Sequence, residues 1–89
     1  MDISKCASAG TLESSDAYVE IEPTQGGLSI RLESVVQKQF GEKIQTVIRE
    51  VLEEHGIENA EVRVIDRGAL ECVIRARVET AVLRGKGEN

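Results

Sequence analysis

Aromatic side chains are almost missing from this sequence, because Tyr18 and Phe40 are the only two among 89 residues. Proteins that bind single-stranded nucleic acids stack the bases on aromatic side chains, so this function is disfavoured. A basic surplus is missing as well: 11 lysine and arginine residues stand against 16 aspartate and glutamate residues, for a net charge of -5. The chain has little with which to neutralise a phosphate backbone, and we expect no nucleic-acid partner.

Cysteine is also scarce. Cys6 and Cys72 lie far apart, form no CxxC pair and have no neighbouring histidine, so no zinc site is expected. Residues 1–5 are polar, and no apolar run approaches about 18 residues, so we expect neither a signal peptide nor a membrane span. These absences predict a cytoplasmic protein whose thiols are reduced.

The sequence offers no convincing catalytic apparatus. Nucleophilic serine catalysis needs a base that is oriented by a third group. The only histidine, His55, lies at the predicted end of a helix, where a histidine is typically part-exposed and stabilised by the helix dipole. Glu13 and Asp16 are expected to be solvated and to keep ordinary pKa values. We therefore predict no catalytic and no metal-binding residues.

Alternating apolar and polar residues predict β-strands, and proline and glycine mark their ends. Val19 and Ile21 face one way, for example, and Pro23 ends their segment because proline donates no ladder hydrogen bond. An earlier segment, rich in alanine, serine and glycine, is interpreted as a strand as well. The predicted strands are residues 5–12, 17–22, 28–33 and 61–66.

A long helix is predicted between the third and fourth strands. Residues 34–37 have the form of a capping box at its start, and Gly56 suits a left-handed cap at its end. Its apolar side chains recur at helical spacing and are expected to face the core. They are Phe40, Ile44, Val47, Ile48, Val51 and Leu52.

Residues 70–79 fit two structures. As a strand they would point Ile74 and Val78 inward and Arg75 and Arg77 outward. As a helix they would place Ile74 and Val78 on one buried stripe. The turn chemistry of residues 66–69 favours a hairpin and therefore a strand, followed by a helical turn over residues 80–84.

Together these segments predict an α+β fold, with about five mostly antiparallel strands and one long helix packed on one face of the sheet. A length of 89 residues predicts a single domain. We expect residues 1–4 and 85–89 to be flexible tails of that domain.

The polar tip at residues 13–16, between the first two predicted strands, places Ser14 and Ser15 between the carboxylates Glu13 and Asp16. Serine is common in turns, so the residues alone favour an ordinary turn. A solvent-exposed tip is also a place where another enzyme reaches a side chain. The two negative charges would suit a basic surface on that enzyme. This tip is the best candidate for a functional site.

Two further charged groups each allow two interpretations. The first group consists of Glu50, Glu53 and Glu54, and it forms either a solvated helix face or an acidic docking surface. The second group consists of Arg75 and Arg77, and it either pairs with carboxylates or contacts a phosphate-bearing group or a subunit.

Four ordered blocks resemble the citrate lyase acyl carrier protein family, the gamma chain of that enzyme. Together they cover roughly residues 7–84, and their order and spacing are specific in combination. The blocks are Ala9-Gly10-Thr11-Leu12-Glu13-Ser14 with Asp16, residues 36–41, the helix at 44–52, and residues 66–77 with Asp66-Arg67-Gly68-Ala69-Leu70-Glu71-Cys72 and Ile74-Arg75-Ala76-Arg77.

The resemblance implies that Ser14 carries phosphoribosyl-dephospho-coenzyme A through a phosphodiester, with Ser15 the less favoured position. Many members are expected to have glycine where this chain has Ser15. The terminal thiol of the group would carry acetyl and citryl units, so neither cysteine of the chain is needed. The chain itself would be non-catalytic, in agreement with its missing catalytic apparatus.

The resemblance also implies partners. A separate transferase, the holo-carrier synthase, attaches the group, and a ligase acetylates its thiol. The alpha chain of citrate lyase exchanges acetyl for citryl, and the beta chain cleaves the citryl carrier to oxaloacetate and the acetyl carrier.

Two other functions are compatible with the residues. One is a small α+β interaction or ligand-sensing module, in which the tip is an ordinary turn and no group is attached. The other is an independent hydrolase that uses Ser14, which predicts turnover by the isolated chain. Genes for the catalytic and modifying chains beside this one would favour the carrier.

Overall fold

The computed structural model describes residues 2–87 and has four strands and two helices. The strands form one sheet in the order β1-β2-β4-β3. Adjacent pairs β1/β2 and β2/β4 are antiparallel, whereas β3/β4 is parallel, with α1 as the crossover that a parallel pair requires. The elements are β1 (Ala7–Gly10), β2 (Ala17–Pro23), β3 (Leu28–Ser34), α1 (Gln37–Glu54), β4 (Ala60–Asp66) and α2 (Glu71–Lys86).

The core lies between one face of the sheet and the two helices. Val19 pairs with Val64 and Ile21 with Val62, so the predicted alternation places these side chains on the same buried face. Helix α2 packs on β1 and β2, and α1 packs on β3 and α2. The predicted α+β class is confirmed, and so are the strands predicted at residues 17–22, 28–33 and 61–66.

The interpretation of residues 70–79 as a strand is wrong, because they lie in helix α2. A fifth strand that followed β4 through a tight hairpin would have to pair with β4, whose two edges already pair with β2 and β3. The helical alternative places Ile74 and Val78 in the core, as the structure does. The sheet therefore has four strands in a mixed arrangement and is covered by two helices.

Two local signals for α2 were present in the sequence. Glu71 lies in its first turn, and Arg84 and Lys86 lie in its last turn. Each side-chain charge therefore has the sign opposite to the partial charge of the nearby helix terminus, which stabilises the helix. Gly87, with φ of +82°, ends the helix in the left-handed conformation that glycine adopts most readily.

The start of α1 also differs from the prediction. Ser34 ends β3, and its hydroxyl donates a hydrogen bond to the buried carboxylate of Asp66, so the predicted capping box does not form and Val36 precedes the helix. Phe40 was predicted in the core but is 50% exposed. It lines a groove between α1 and the start of α2 instead. The other five residues of the predicted stripe are buried.

The described parts of the two predicted tails pack against each other. Ile3 is buried, and the backbone N–H groups of Ser4 and Lys5 both donate to the carbonyl of Gly85. A Cβ on Gly85 would lie 3.1 Å from carbons of Ile3, so glycine lets the N-terminal segment approach α2 closely. Residues 1, 88 and 89 of the predicted tails lie outside the described residues. Within residues 2–87, neither helix is long and apolar enough to cross a membrane.

Candidate functional site

The loop between β1 and β2 ends in a tight turn formed by residues 13–16. The N–H of Asp16 donates to the carbonyl of Glu13 over 3.2 Å, which places Ser14 and Ser15 at the two central positions. Ser15 has φ of +65°, as the third residue of a type II turn requires. Both serine side chains are exposed. The predicted tip is therefore a turn that presents its two hydroxyls to solvent.

The turn is fastened to the connection between β4 and α2. The N–H of Ser15 donates to the carbonyl of Arg67 over 2.8 Å, and the N–H of Arg67 donates to the carbonyl of Asp16 over 2.9 Å. At its base, the N–H of Thr11 donates to the carbonyl of Ala17 over 3.2 Å. These backbone bonds hold the serines in a defined position at the end of the sheet.

Asp16 anchors the tip to helix α2. Its two carboxylate oxygens accept one hydrogen bond each from Nε and Nη2 of Arg77, both over 3.0 Å. The Thr11 hydroxyl donates to the same carboxylate over 2.6 Å, and the Ala17 N–H donates over 2.7 Å. The Arg77 guanidinium, with these other donors, holds the pKa of Asp16 well below its usual range. The prediction of an ordinary pKa for Asp16 is therefore wrong.

The comparisons with known proteins agree on one family. A model of an acyl carrier family, described as malonate decarboxylase delta subunit (MdcD), matches residues 4–85. The citrate lyase acyl carrier protein of Escherichia fergusonii is 54% identical over 85 residues, which cover 94% of this chain and 88% of that protein. The protein of the same name from Latilactobacillus sakei is 47% identical over 88 residues, which cover 99% and 87%. The chain belongs to the citrate lyase acyl carrier protein family.

A solved structure supports the fold of this acyl carrier family member. A chain in the crystal structure of a Pseudomonas malonate decarboxylase hetero-tetramer in complex with malonate matches it with a TM-score of 0.75 and 27% sequence identity. The match covers 86% of this chain and 79% of that chain. The resemblance found in the sequence blocks is confirmed.

Several other charged residues of this family member form pairs away from the tip. Arg75 pairs with Glu50 and lies within 3.9 Å of Glu54, so Arg75 follows the first of its two predicted roles, the pairing with carboxylates. His55 Nε2 lies 3.4 Å from a carboxylate oxygen of Glu79, at the end of α1 that is remote from the turn. Cys6 and Cys72 are both exposed and free.

Sequence reasoning missed the partnership of Asp16 and Arg77, because the strand interpretation put Arg77 on the outer face of a sheet. On helix α2, Arg77 lies three residues after Ile74 and immediately before Val78, and both of these residues are buried. Arg77 therefore lies beside the stripe that faces the core. The glycine and the basic residues at the end of α2 were the signals that could have placed it there.

The left-handed conformation of Ser15 gives a stability prediction. A residue with a Cβ pays about 1–2 kcal/mol in this conformation, whereas glycine adopts it freely at some cost in the entropy of the unfolded chain. We expect Ser15→Gly to raise the free energy of unfolding by about 1 kcal/mol, measured by urea denaturation. Ser14→Gly is the matched control, because Ser14 has no positive φ, and it should lower the free energy of unfolding. Equal effects of the two substitutions would contradict the prediction.

The lowered pKa of Asp16 predicts a loss of stability in acid. The unfolded chain, with an ordinary aspartate pKa near 3.8, binds a proton more readily than the folded chain does. The contribution of Asp16 is therefore fully present above about pH 5 and declines as the pH falls through about 4 and lower. Urea denaturation between about pH 6 and pH 3 measures this decline.

Asp16→Asn is the control for that measurement, because it removes the titrating carboxyl group. Its free energy of unfolding should depend less on pH than that of the wild type over the same interval. Glu20, whose pKa is lowered by Arg63 and then by Tyr18, is present in both proteins and supplies a shared decline. Parallel curves for the two proteins would contradict a contribution from Asp16.

Proposed function

We propose that this chain is the acyl carrier subunit of citrate lyase and that Ser14 is the attachment point of phosphoribosyl-dephospho-coenzyme A. Its partners would be the alpha and beta chains of the enzyme, the holo-carrier synthase and the acetylating ligase, all in the cytoplasm. The proposal is supported by two relatives of that name, 54% and 47% identical over nearly the whole chain. Residues 1–89 would form the one carrier domain.

The observation that carries the proposal is the exposed Ser14 hydroxyl on a turn whose main chain is held by hydrogen bonds. Formation of a phosphodiester needs an oxygen that an enzyme can reach from solvent, and it needs that oxygen in a reproducible position. The second central residue, Ser15, is exposed too, but its N–H is engaged by Arg67 and its φ is positive. Sequence register in the family blocks favours Ser14.

The residues around Ser14 fit an acceptor rather than a catalyst. When the Ser14 oxygen bonds to phosphorus, the bond from phosphorus to the donor's leaving group breaks and the Ser14 proton must leave. Asp16 of the turn is already occupied by Arg77 and Thr11. His55 is at the far end of α1. We expect the base to come from the modifying transferase, as for a non-catalytic carrier.

The attached group supplies the thiol that carries acetyl and citryl units. The contribution of the chain is to anchor that group at a fixed point, so that one tethered thioester reaches the transferase site of the alpha chain and the lyase site of the beta chain. Tethering raises the effective concentration at each site to the millimolar range for a short flexible linker. A turn whose main chain is held by hydrogen bonds supplies such a fixed anchor.

The mass of the intact chain tests this proposal. The chain is purified from cells with and without its holo-carrier synthase, and peptide mapping locates any added group. We expect one added mass equal to phosphoribosyl-dephospho-coenzyme A, on Ser14, only with the synthase. The Ser15→Ala variant should be modified as the wild type is. An unmodified chain beside an active synthase would overturn the proposal, and a group on Ser15 would move the site.

A further inference from the structure

The large hydrophobic side chains that remain exposed are concentrated in one part of the fold. Among residues 2–87 there are four of them, and each is at least half exposed. They are Leu12 at 52%, Val35 at 66%, Phe40 at 50% and Leu70 at 71%. We call these four residues the apolar end. A cluster of exposed apolar side chains marks an interaction surface, whereas single scattered apolar residues are normal on a protein surface.

The topology brings the apolar end together with the serine turn. Strand β1 ends, β2 begins, and β3 and β4 both end at the same edge of the sheet. Leu12 lies in the loop that follows β1, Val35 follows β3, and Leu70 follows β4. Four strands span about 14 Å, at about 4.8 Å between neighbours, so one partner can cover the whole edge.

Contacts along this edge tie its loops into one surface. The turn is bonded to Arg67 through Ser15 and Asp16, as described above. A Cβ on Gly68 would lie 4.0 Å from Cγ2 of Val35, so the connection after β4 adjoins the connection after β3. The apolar end is therefore continuous with the turn that carries Ser14.

A groove runs beside the apolar end between the start of α1 and the start of α2. Its volume is about 240 Å³, and Phe40 and Leu70 are among the residues that line it. Buried Ile44 and Ile74 also line the groove, so its floor is part of the core. Lys43 lines it as well and lies 3.8 Å from Glu71 across the two helices. This combination of an apolar floor and a charged rim is the usual anatomy of a protein interface.

Arg67 adds a charged contact at the centre of the edge. Its backbone holds the turn, whereas its side chain is exposed and forms no ion pair within residues 2–87. Arg63, Arg75 and Arg77 all pair with carboxylates in the same chain. A carboxylate on a partner would complement Arg67.

From these observations we propose that the apolar end, with Arg67, is the docking surface for the catalytic alpha–beta part of citrate lyase. The proposal rests on the proposed function and adds the surface through which the carrier binds. The partner would present an apolar socket and a carboxylate. A second copy of this chain suits the surface less, because a symmetric pair through this edge would cover Ser14 in both copies. A prosthetic arm folded into the groove would be withheld from both active sites.

Binding of the apo chain to the purified alpha–beta complex, measured by titration calorimetry, tests the proposal. Phe40→Gln/Leu70→Gln removes two of the four exposed side chains and should raise Kd by about 30-fold or more, as for two central interface residues. Arg67→Gln should raise Kd less and should weaken the salt dependence of binding. Gln45→Asp is the matched control, because Gln45 is exposed on α1 and does not line the groove. Thermal unfolding confirms that each variant is folded.

The outcomes separate this proposal from the proposed function. If the wild type, apo and modified, does not bind the alpha–beta complex, the proposed function fails and the docking surface with it. If the wild type binds and the double variant binds equally well, the docking surface is overturned while the proposed function stands. If the double substitution weakens the binding of the modified chain only, the groove is assigned to the prosthetic arm instead. A concentration-dependent dimer that the double variant abolishes would assign it to a second copy.

Discussion

Ser14→Ala is expected to reduce citrate cleavage to background when the chain is reconstituted with the alpha and beta chains and the modifying enzymes. On the proposed function, every turnover passes through a thioester on the group that Ser14 anchors, so loss of the hydroxyl removes the carrier from the cycle. Ser14 is exposed, and exposed substitutions usually change the free energy of unfolding by less than about 0.5 kcal/mol. The loss of activity should therefore occur in a folded protein.

Two controls make that result specific. Ser15→Ala keeps the Ser14 hydroxyl and the N–H that bonds to Arg67, so it should retain most of the activity. The Ser14→Ala chain should still bind the alpha–beta complex, and it should compete with the wild type and inhibit cleavage. Citrate cleavage by a complex that contains only the Ser14→Ala chain would refute Ser14 as the attachment point.

Gly10→Ala is expected to be the most damaging single substitution at the base of the turn. Gly10 ends β1 with φ of +94°, and a Cβ there would lie 1.9 Å from the carbonyl oxygen of Ala17. The same oxygen accepts the hydrogen bond from Thr11 that closes the turn. The backbone must shift and that bond must break, so we expect the free energy of unfolding to fall by about 3–5 kcal/mol. Urea denaturation measures the loss.

Gly27→Ala is the matched control for that experiment. Gly27 has nearly the same φ, +97°, but a Cβ there would meet no atom within 4 Å. The substitution therefore has the conformational cost without the collision, about 1–2 kcal/mol. The difference between the two variants isolates the close approach of β1 and β2. Equal decreases in the free energy of unfolding would mean that the backbone relieves the collision with Ala17 without an energetic cost.

Much of the fold was predictable because its signals are local. The alternation around Val19 and Ile21 and the helical spacing from Ile44 to Leu52 each lie within one element, and the structure confirms both. The exposed turn at Ser14 was predictable for the same reason, since polar residues between two strands favour a hairpin loop. Phe40 satisfied the helical spacing and is still half exposed. The spacing of apolar residues does not show which turns of a helix are covered by the rest of the fold.

The interpretation of residues 70–79 failed at the point where local patterns are ambiguous. Ile74 and Val78 fit a strand as well as a helix, and the choice depends on whether β4 has a free edge. That edge is taken by β3, which reaches β4 through the crossover α1. Strand order is a property of the whole chain, so no window of sequence around residue 74 contains it.

The sequence by itself determined the family, the α+β class and the exposed serine turn, because ordered blocks and short periodic patterns carry them. Only the tertiary structure decided how that turn is held. Asp16 and Arg77 are 61 residues apart in the chain, and they meet because α2 packs on β1 and β2. The ion pair and the low pKa of Asp16 depend on that packing, since hydrogen bonds and charges act over a few ångströms in space, whatever the separation along the sequence.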